Sequence, residues 1–226
     1  MKKKTVALLL ACVMALGVAI GGTMAWLTDS AGEVKNTFTV GDINIELKEH
    51  EYDPATESLE NTLTETGNND YLFVPGDTLP KDPFVTVKAN SEECYLFVKV
   101  QEKNNVIPGS NPVNKIIDWT VVPTELDAAQ ADVTWTKYGD DVVTDNNITQ
   151  YWYCKVSKAD ADQSWYILNE NQITVDTAVT KDSVTAINSA KPELVFAAAA
   201  VQSENLPTAT APQTEVDVAF GLVSWP

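Results

Sequence analysis

Residues 94–101 read Cys-Tyr-Leu-Phe-Val-Lys-Val-Gln, and this stretch sets the pattern from which the fold is predicted. Leu96, Val98 and Val100 recur at every second position, so they share one face of an extended strand. The same alternation recurs along the chain between turns rich in Asn, Asp, Gly and Pro. Strands are predicted at 36–48, 84–88, 94–101, 116–122, 132–138, 149–156, 165–168, 173–179, 194–202 and 215–223. We therefore expect an all-β fold, an antiparallel β-sandwich in a single domain.

Two stretches interrupt the strand pattern and are predicted to be exposed loops. Residues 49–70 contain seven acids, no lysine and several turn-forming residues. His50, the only histidine of the chain, is predicted to be a solvated residue at the edge of this acidic loop. Residues 203–214 are rich in Pro, Thr and Ala. Neither stretch has enough apolar residues to fold by itself.

The first 25 residues have the organisation of a secretory signal. Three lysines at positions 2–4 precede an uncharged apolar stretch, and small residues follow up to Ala25. This pattern predicts an N-terminal signal helix over residues 1–25, which is cleaved between Ala25 and Trp26. The β-sandwich domain is then predicted to span residues 26–226, and the protein is predicted to be exported with no stable membrane span after cleavage.

The charge of the chain excludes several classes of partner. There is no arginine, and the formal net charge is −17, which becomes more negative when the three signal lysines are removed. Nucleic acids need a cluster of cations to release their counterions, so no nucleic-acid partner is expected. An anionic membrane surface would repel the exported chain for the same reason. Cationic partners such as Ca²⁺ or basic peptides remain, and the charge also serves to keep an exported protein soluble.

The two cysteines outside the signal leave two alternatives open. Cys94 and Cys154 lie in two different predicted strands. A disulfide between neighbouring strands is stable outside the cell and would close a long loop. The competing interpretation is a pair of buried free thiols.

Catalytic chemistry finds little support in the sequence. His50 is not followed by a second histidine at metal-binding spacing, and the chain contains no Gly-x-Ser-x-Gly motif. We expect no enzyme, no cofactor and no metal centre. The stretch Asp160-x-Asp162-x-Ser164 begins like a calcium loop, but Trp165 occupies the place where glycine is needed. The aromatic stretch 151–153 suits either sugar stacking or core packing.

Several motifs together resemble the TasA/camelysin family of exported Gram-positive proteins. The first is the junction Gly-Gly-Thr-Met-Ala-Trp-Leu-Thr-Asp at residues 21–29, followed by residues 36–47. The second is the turn Val-Pro-Gly-Asp-Thr-Leu-Pro-Lys-Asp-Pro at residues 74–83, with its structural turn residues Pro75, Gly76, Asp77, Lys81 and Asp82. The strand at 95–100 and the stretch Phe-Ala-Ala-Ala-Ala-Val-Gln at residues 196–202 complete the resemblance.

The resemblance implies a jelly-roll-like sandwich that forms fibres of the extracellular or biofilm matrix. A SipW-type signal peptidase would process the chain during export. The segment after the cleavage site would then add as a donor strand to a neighbouring copy, which is physically reasonable because an open sheet edge accepts extended segments. The donor anchors expected here are Trp26, Leu27, Val34 and Phe38.

The partners expected are therefore other copies of this chain, joined head to tail, and other matrix proteins. The location expected is secreted, in the extracellular matrix or at the cell surface of a Gram-positive bacterium. Two other functions are weighed against this one. One is a cell-surface binding module for glycans or host proteins, and the other is a secreted hydrolase.

Overall fold

The structure is a computed structural model that describes residues 42–64, 69–110, 114–127, 133–145, 147–180, 183, 187 and 191–226. These residues contain thirteen β-strands, one short 3₁₀ turn (Asn169–Asn171) and one α-helix whose bounds are described. The strands are β1 (Ile45–Asp53), β2 (Ser58–Thr64), β3 (Thr78–Pro80), β4 (Phe84–Val87), β5 (Cys94–Lys103), β6 (Ile117–Asp118), β7 (Val121–Glu125), β8 (Thr136–Lys137), β9 (Val142–Thr144), β10 (Asn147–Val156), β11 (Gln163–Leu168), β12 (Gln172–Val175) and β13 (Glu193–Gln202). The helix α1 spans Glu215–Gly221.

All of the strand pairs are antiparallel, and they form two main sheets and one small sheet. The first main sheet has the order β2-β1-β4-β11-β7, and the second has the order β13-β5-β10-β8, with β9 also paired to β10. The small sheet has the order β3-β12-β6. The chain crosses between the main sheets from β4 to β5, from β7 to β8 and from β10 to β11. The predicted antiparallel β-sandwich is thereby confirmed.

The main core lies between the two large sheets and follows from the alternation read in the sequence. Leu96, Val98 and Val100 of β5 are fully buried and face Val85 of β4 and Trp165 of β11 in one cluster. Burying a side chain of this size stabilises the fold by about 1.5–3 kcal/mol. The period-two pattern therefore buries one side of the central strands between the two large sheets.

A second cluster of apolar side chains packs around the small sheet. Leu79 of β3, Ile117 of β6 and Ile173 of β12 are buried there together with Tyr52 of β1 and Leu168 of β11. The turn Val74-Pro75-Gly76-Asp77 leads into β3, and the Gly76 amide donates to the Val175 carbonyl at 3.0 Å. The small sheet is thus attached to the sandwich through side chains from both.

The stretch predicted as the last strand, 215–223, is a helix, and that prediction was wrong. Thr214 and Asp217 form a capping box, in which the Thr214 hydroxyl accepts from the Asp217 amide and the Asp217 carboxylate accepts from the Thr214 amide. This reciprocal cap satisfies amide groups that a helix start would otherwise leave unpaired. Val216, Phe220 and Val223 follow the three-to-four-residue spacing of a helix face, and Val218 and Leu222 between them give the same stretch an apparent two-residue alternation.

Helix α1 covers the outer face of the second sheet. Phe220 stacks on Tyr138 with ring centroids 4.2 Å apart and meets Tyr151 and Phe97 at 5.1 Å and 5.6 Å. Trp225 lies 5.5 Å from Tyr151. The tyrosines of residues 151–153 therefore face this helix, and core packing explains the aromatic row better than a sugar-stacking surface does.

The predicted acidic loop 49–70 is for the most part a β-hairpin, and that prediction was also wrong. Its first residues belong to β1 and its later ones to β2, with Tyr52 paired to Leu59 across the turn. Glu49 and Tyr52 are buried, because the hairpin packs against the segment before β4. The short strands β3 and β9 were not predicted from the sequence either. Residues 203–214 form turns and irregular backbone, mostly exposed, although Ser203 is buried.

Cys94 and Cys154 are free thiols in the structure, which corresponds to the second of the two alternatives left open. They lie on the paired strands β5 and β10 and are both fully buried in the main core. Burial raises the pKa of the Cys94 thiol to about 11, and the neighbouring Glu93 charge adds to this rise. Burial likewise raises the pKa of Cys154. Both sulfurs are therefore poor nucleophiles.

We expect neither thiol to react with Ellman's reagent in the folded protein at about pH 8, because both are buried and protonated there. Both should react once the unreduced protein is unfolded in guanidinium. The variant Val143→Cys provides the control, because Val143 is 64% exposed and a thiol at that position should react immediately. An unfolded, unreduced protein with no reactive thiol would contradict the free-thiol state and establish a disulfide.

The capping box of α1 makes the stability of the fold depend on pH through the Asp217 carboxylate. Bonds from the Thr214 amide and hydroxyl, and then from the Tyr138 hydroxyl, lower the pKa of Asp217 below its usual range. A lowered pKa in the folded state stabilises the fold above the ordinary aspartate pKa of about 3.9, and this contribution is lost as the pH falls through the folded value. Asp217→Asn should therefore be less stable than the parent at neutral pH.

Denaturant unfolding across a pH series, followed by tryptophan fluorescence, measures this effect. We expect the difference between Asp217→Asn and the parent to shrink as the pH falls below about 4. Glu204→Gln is the matched control, since Glu204 is an exposed acid outside the cap. A difference that stays constant down to the acid transition would show that the cap does not depend on the carboxylate charge.

Candidate functional site

The outer side of β13 is an unpaired sheet edge within the part of the chain that the structure describes. β13 is hydrogen-bonded to β5 along its whole length, from Glu193 opposite Lys103 to Gln202 opposite Cys94. No described strand pairs with its other side, and β1 of the facing sheet contacts it without forming a ladder. An edge of this kind presents unpaired amides and carbonyls to any extended segment.

The hydrogen bonds of β13 show which amides point outward. The Ser203 amide donates to the Glu93 carbonyl at 2.9 Å, and this pair continues the register of the β13–β5 ladder. Donors to one neighbour alternate along a strand, so odd-numbered residues donate toward β5. The amides of Leu194, Phe196, Ala198 and Ala200 are therefore the ones directed to the open side. The side chains of these same residues pack on the main core.

The other sheet edges carry features that discourage strand addition. β7 contains Pro123, which cannot donate a ladder hydrogen bond, and β2 contains the exposed charge of Glu60. β9 is only three residues long. β13 has ten residues, and its interior, residues 194–201, contains neither a charge nor a proline. Among the described edges, β13 is thus the best template for an added strand.

A cleft of about 620 Å³ opens beside the start of β13. Its walls are formed by the segment before β3, by the small sheet and by the first residues of β13. The lining is mostly apolar and includes Tyr71, Leu79, Ile117, Ile173 and Leu194. Leu72, at the rim, is 71% exposed. A cleft of this size and polarity accepts one or two large apolar side chains.

A buried group of polar side chains lies at the inner end of this cleft. The Lys81 Nζ donates to Glu49 Oε2 at 2.8 Å, and both side chains are less than 10% exposed. The Asn69 side-chain amide donates to the other oxygen, Glu49 Oε1, at 3.1 Å and to the His50 carbonyl at 2.9 Å. The Asn69 Oδ1 accepts from the Tyr52 amide at 3.0 Å. One carboxylate therefore bridges an amine and a carboxamide.

Aromatic rings enclose the amine of this group. The Lys81 Nζ lies 5.2 Å from the centre of the Tyr71 ring and 5.6 Å from that of Phe196. Tyr71 in turn packs on Tyr52, with ring centroids 4.3 Å apart. Burial, followed by the charge of Glu49, raises the pKa of Tyr71 well above its usual range. We refer to Glu49, Asn69 and Lys81 below as the amine–amide cluster.

His50 and Asp82 form a second polar contact beside this cluster. The Asp82 carboxylate, which is buried, accepts from the His50 amide at 3.1 Å and lies 2.6 Å from the His50 Nδ1. His50 belongs to β1, so its prediction as a solvated loop residue was wrong. This contact joins β1 to the segment before β4 and gives each oxygen of Asp82 a partner on His50.

The turn at residues 74–77 has the geometry that its sequence indicates. Gly76 has a φ of +90°, a conformation that residues with a side chain rarely adopt. The Asp77 carboxylate accepts from the Val74 amide at 2.6 Å, and the Asp77 amide donates to the Val74 carbonyl. Lys81 and Asp82, predicted as structural turn residues, are in addition buried in polar contacts.

The calcium interpretation of the acidic turns receives no support from their contacts. Asp162 accepts from the Ala89 amide at 2.8 Å and from the Lys88 Nζ at 2.6 Å, so its oxygens are used within the protein. Asp141 pairs with Lys137. Among the described residues there is no group of three or more His, Cys, Asp and Glu side chains arranged to hold a metal ion.

The predicted signal and donor segment fall outside the described residues. This applies to the cleavage position at Ala25 and Trp26 and to the donor anchors Trp26, Leu27, Val34 and Phe38. Within the described ranges, no helix has both the length and the apolar character needed to span a membrane. The structure does describe the outer edge of β13, which was not located from the sequence.

The chain was also compared with known proteins. No model of a protein family, no curated protein and no solved structure matches it.

Proposed function

We propose that this chain is a secreted structural protein of the extracellular or biofilm matrix, which self-assembles into fibres by β-strand donation. In this proposal the donor is the segment 26–38 of one copy, and the acceptor is the outer edge of β13 in the next. Export and cleavage before Trp26 by a SipW-type signal peptidase would release the donor. The observation that carries the proposal is the long, uncharged and proline-free open edge of β13.

The chemistry of that edge supports a strand as its occupant. The four outward-directed amides within residues 194–201 of β13 need hydrogen-bond acceptors when they are removed from water. Residues 197–200 are all alanine, so little side-chain bulk stands in the way of an approaching backbone. Residues 193–195, at the beginning of the same strand, form part of the wall of the apolar cleft. It offers a place for the large apolar anchors of the donor.

A single donor and a single acceptor on each copy determine the form of the assembly. The two surfaces differ, so the contact is heterologous, and an exchange that does not close on itself propagates as a filament. The acidic character of the chain is compatible with this arrangement because the edge itself is uncharged between residues 194 and 201. The interface would therefore rely on backbone hydrogen bonds and apolar anchors.

We expect Ala198→Pro to abolish fibres while leaving the monomer folded. Proline removes one of the outward amides, and edge strands tolerate proline where the lost amide does not face the neighbouring strand. Fibre formation is measured by electron microscopy and sedimentation of the processed protein, and folding by circular dichroism. Deleting residues 26–35 should have the same effect by removing the donor.

Val143→Pro is the matched control, because it places a proline in the edge strand β9 instead. It should assemble as the parent does. Unchanged fibres from both Ala198→Pro and the deletion would refute the proposal. A parent protein that stays monomeric and binds glycans would instead favour the surface binding module.

A further inference from the structure

The geometry of the amine–amide cluster points to a covalent cross-link, and we propose that Lys81 and Asn69 form an intramolecular isopeptide bond with Glu49 as the catalytic residue. The product is an amide that joins Lys81 Nζ to Asn69 Cγ, and the leaving group is ammonia. This inference is independent of the assembly proposal, because it concerns the interior of a single copy.

The three groups are already placed for the reaction by their contacts with one carboxylate. Glu49 Oε2 lies 2.8 Å from the Lys81 Nζ, and Glu49 Oε1 lies 3.1 Å from the Asn69 Nδ2. The two oxygens of a carboxylate are close together, so the amine and the carboxamide are held side by side. Holding two reactants in such a position replaces an encounter in solution and lowers the barrier substantially.

The proton transfers are assigned to the two oxygens of Glu49. Oε2 takes a proton from the Lys81 ammonium, and the resulting neutral amine attacks Asn69 Cγ to form the new C–N bond. The protonated Glu49 carboxyl then returns this proton to Nδ2, the nitrogen that is hydrogen-bonded to Oε1, as the bond between Cγ and Nδ2 breaks. The ammonium and the carboxamide nitrogen carry about five protons between them: one stays on the new amide, and the others leave with the released nitrogen as ammonium. Glu49 is therefore a carboxylate again at the end of the reaction. No oxidant or other reactant is required.

Two further contacts favour the step. The Tyr52 amide donates to Asn69 Oδ1 at 3.0 Å, and this oxygen acquires negative charge when the amine attacks. The His50 carbonyl accepts from Nδ2 at 2.9 Å and fixes the orientation of the leaving nitrogen.

Burial shields the reacting amine and carboxylate from water. Water is largely excluded from Glu49 and Lys81, and the rings of Tyr71 and Phe196 lie next to the amine. Since Asn69 and Lys81 both line the cleft, the ammonia has a route to solvent.

A second lysine–glutamate pair in the same chain serves as an internal control. Lys115 Nζ lies 2.9 Å from the buried Glu102 Oε2, which resembles the Lys81–Glu49 contact. The Trp119 indole Nε1 also donates to Glu102 Oε2, at 2.6 Å. An indole has no carbonyl carbon that an amine can attack, so Lys115 should keep its free amine.

Intact mass and peptide mapping of the purified full chain test the proposal. The folded protein should be lighter than its sequence by one ammonia, beyond any loss of the signal. Cleavage before aspartates separates Asn69 from Lys81, because Asp70 and Asp77 lie between them. The map should then contain a branched peptide that joins these two residues, and the linear peptide with a free Lys81 should be lost.

Glu49→Gln and Asn69→Ala should both retain the full mass and a free Lys81, since one lacks the proton carrier and the other the acceptor. Asp82→Asn is the matched control, because it changes a neighbouring buried acid outside the cluster, and it should still lose ammonia. Circular dichroism establishes that each variant is folded. If Glu49→Gln fails to fold, the peptide map of the parent and of Asp82→Asn decides alone.

Two results would overturn the inference. The first is a folded parent protein that keeps its full mass and a free Lys81 after prolonged incubation at neutral pH. The second is a cross-link that forms to the same extent in folded Glu49→Gln.

Discussion

Strand β5 is hydrogen-bonded to β13 on one side and to β10 on the other, and both of its faces are buried from Cys94 to Val98. Leu96 and its even-numbered neighbours point into the sandwich, whereas Tyr95 and Phe97 lie under the C-terminal helix. The register of a strand is strongly specified wherever a face is buried, because a slip of one residue turns every side chain to the other face. The fixed position of β5 therefore also fixes β13, and with it the edge on which the proposed assembly depends.

The buried charged side chains are held by specific polar partners, whereas the core is held by apolar packing. Glu49, Lys81 and Asp82 are rarely buried residue types, and each of them is paired or accepts several hydrogen bonds. These contacts connect the β1–β2 hairpin to the segment that leads into β4. The contacts of Asn69 complete this connection and bring a carboxamide to a buried amine, which is the basis of the proposed cross-link. The same residues thus serve as structural contacts and as reactants.

The sequence predicted the sandwich well because the two-residue alternation records which face of each strand is buried. It failed at 215–223, where residues spaced for a helix also happen to alternate, and where the decisive signal was the cap formed by Thr214 and Asp217. The prediction of an exposed loop over residues 49–70 was also wrong, because the number of acidic residues does not show which side chains they contact.

The amine–amide cluster was not predictable for a related reason. Glu49 and Asn69 were assigned to one loop, and Lys81 to a turn in another part of the chain. Only the pairing of β1 with both β2 and β4 brings the three together. One usable signal was present, since Lys81 lies between Pro80 and Pro83 next to apolar residues, in a chain where cations are scarce. The open edge of β13 could be recognised only once the strand order was known.

The length of the β13–β5 ladder also has a mechanical meaning. A pulling force directed along β13 acts in shear on all of the hydrogen bonds that join it to β5, from Lys103 to Cys94, and loads them at the same time. Bonds that share a load in this way resist extension far better than bonds that open one after another from an end. An array of such subunits under tension would therefore transmit force through this ladder without the strand peeling away.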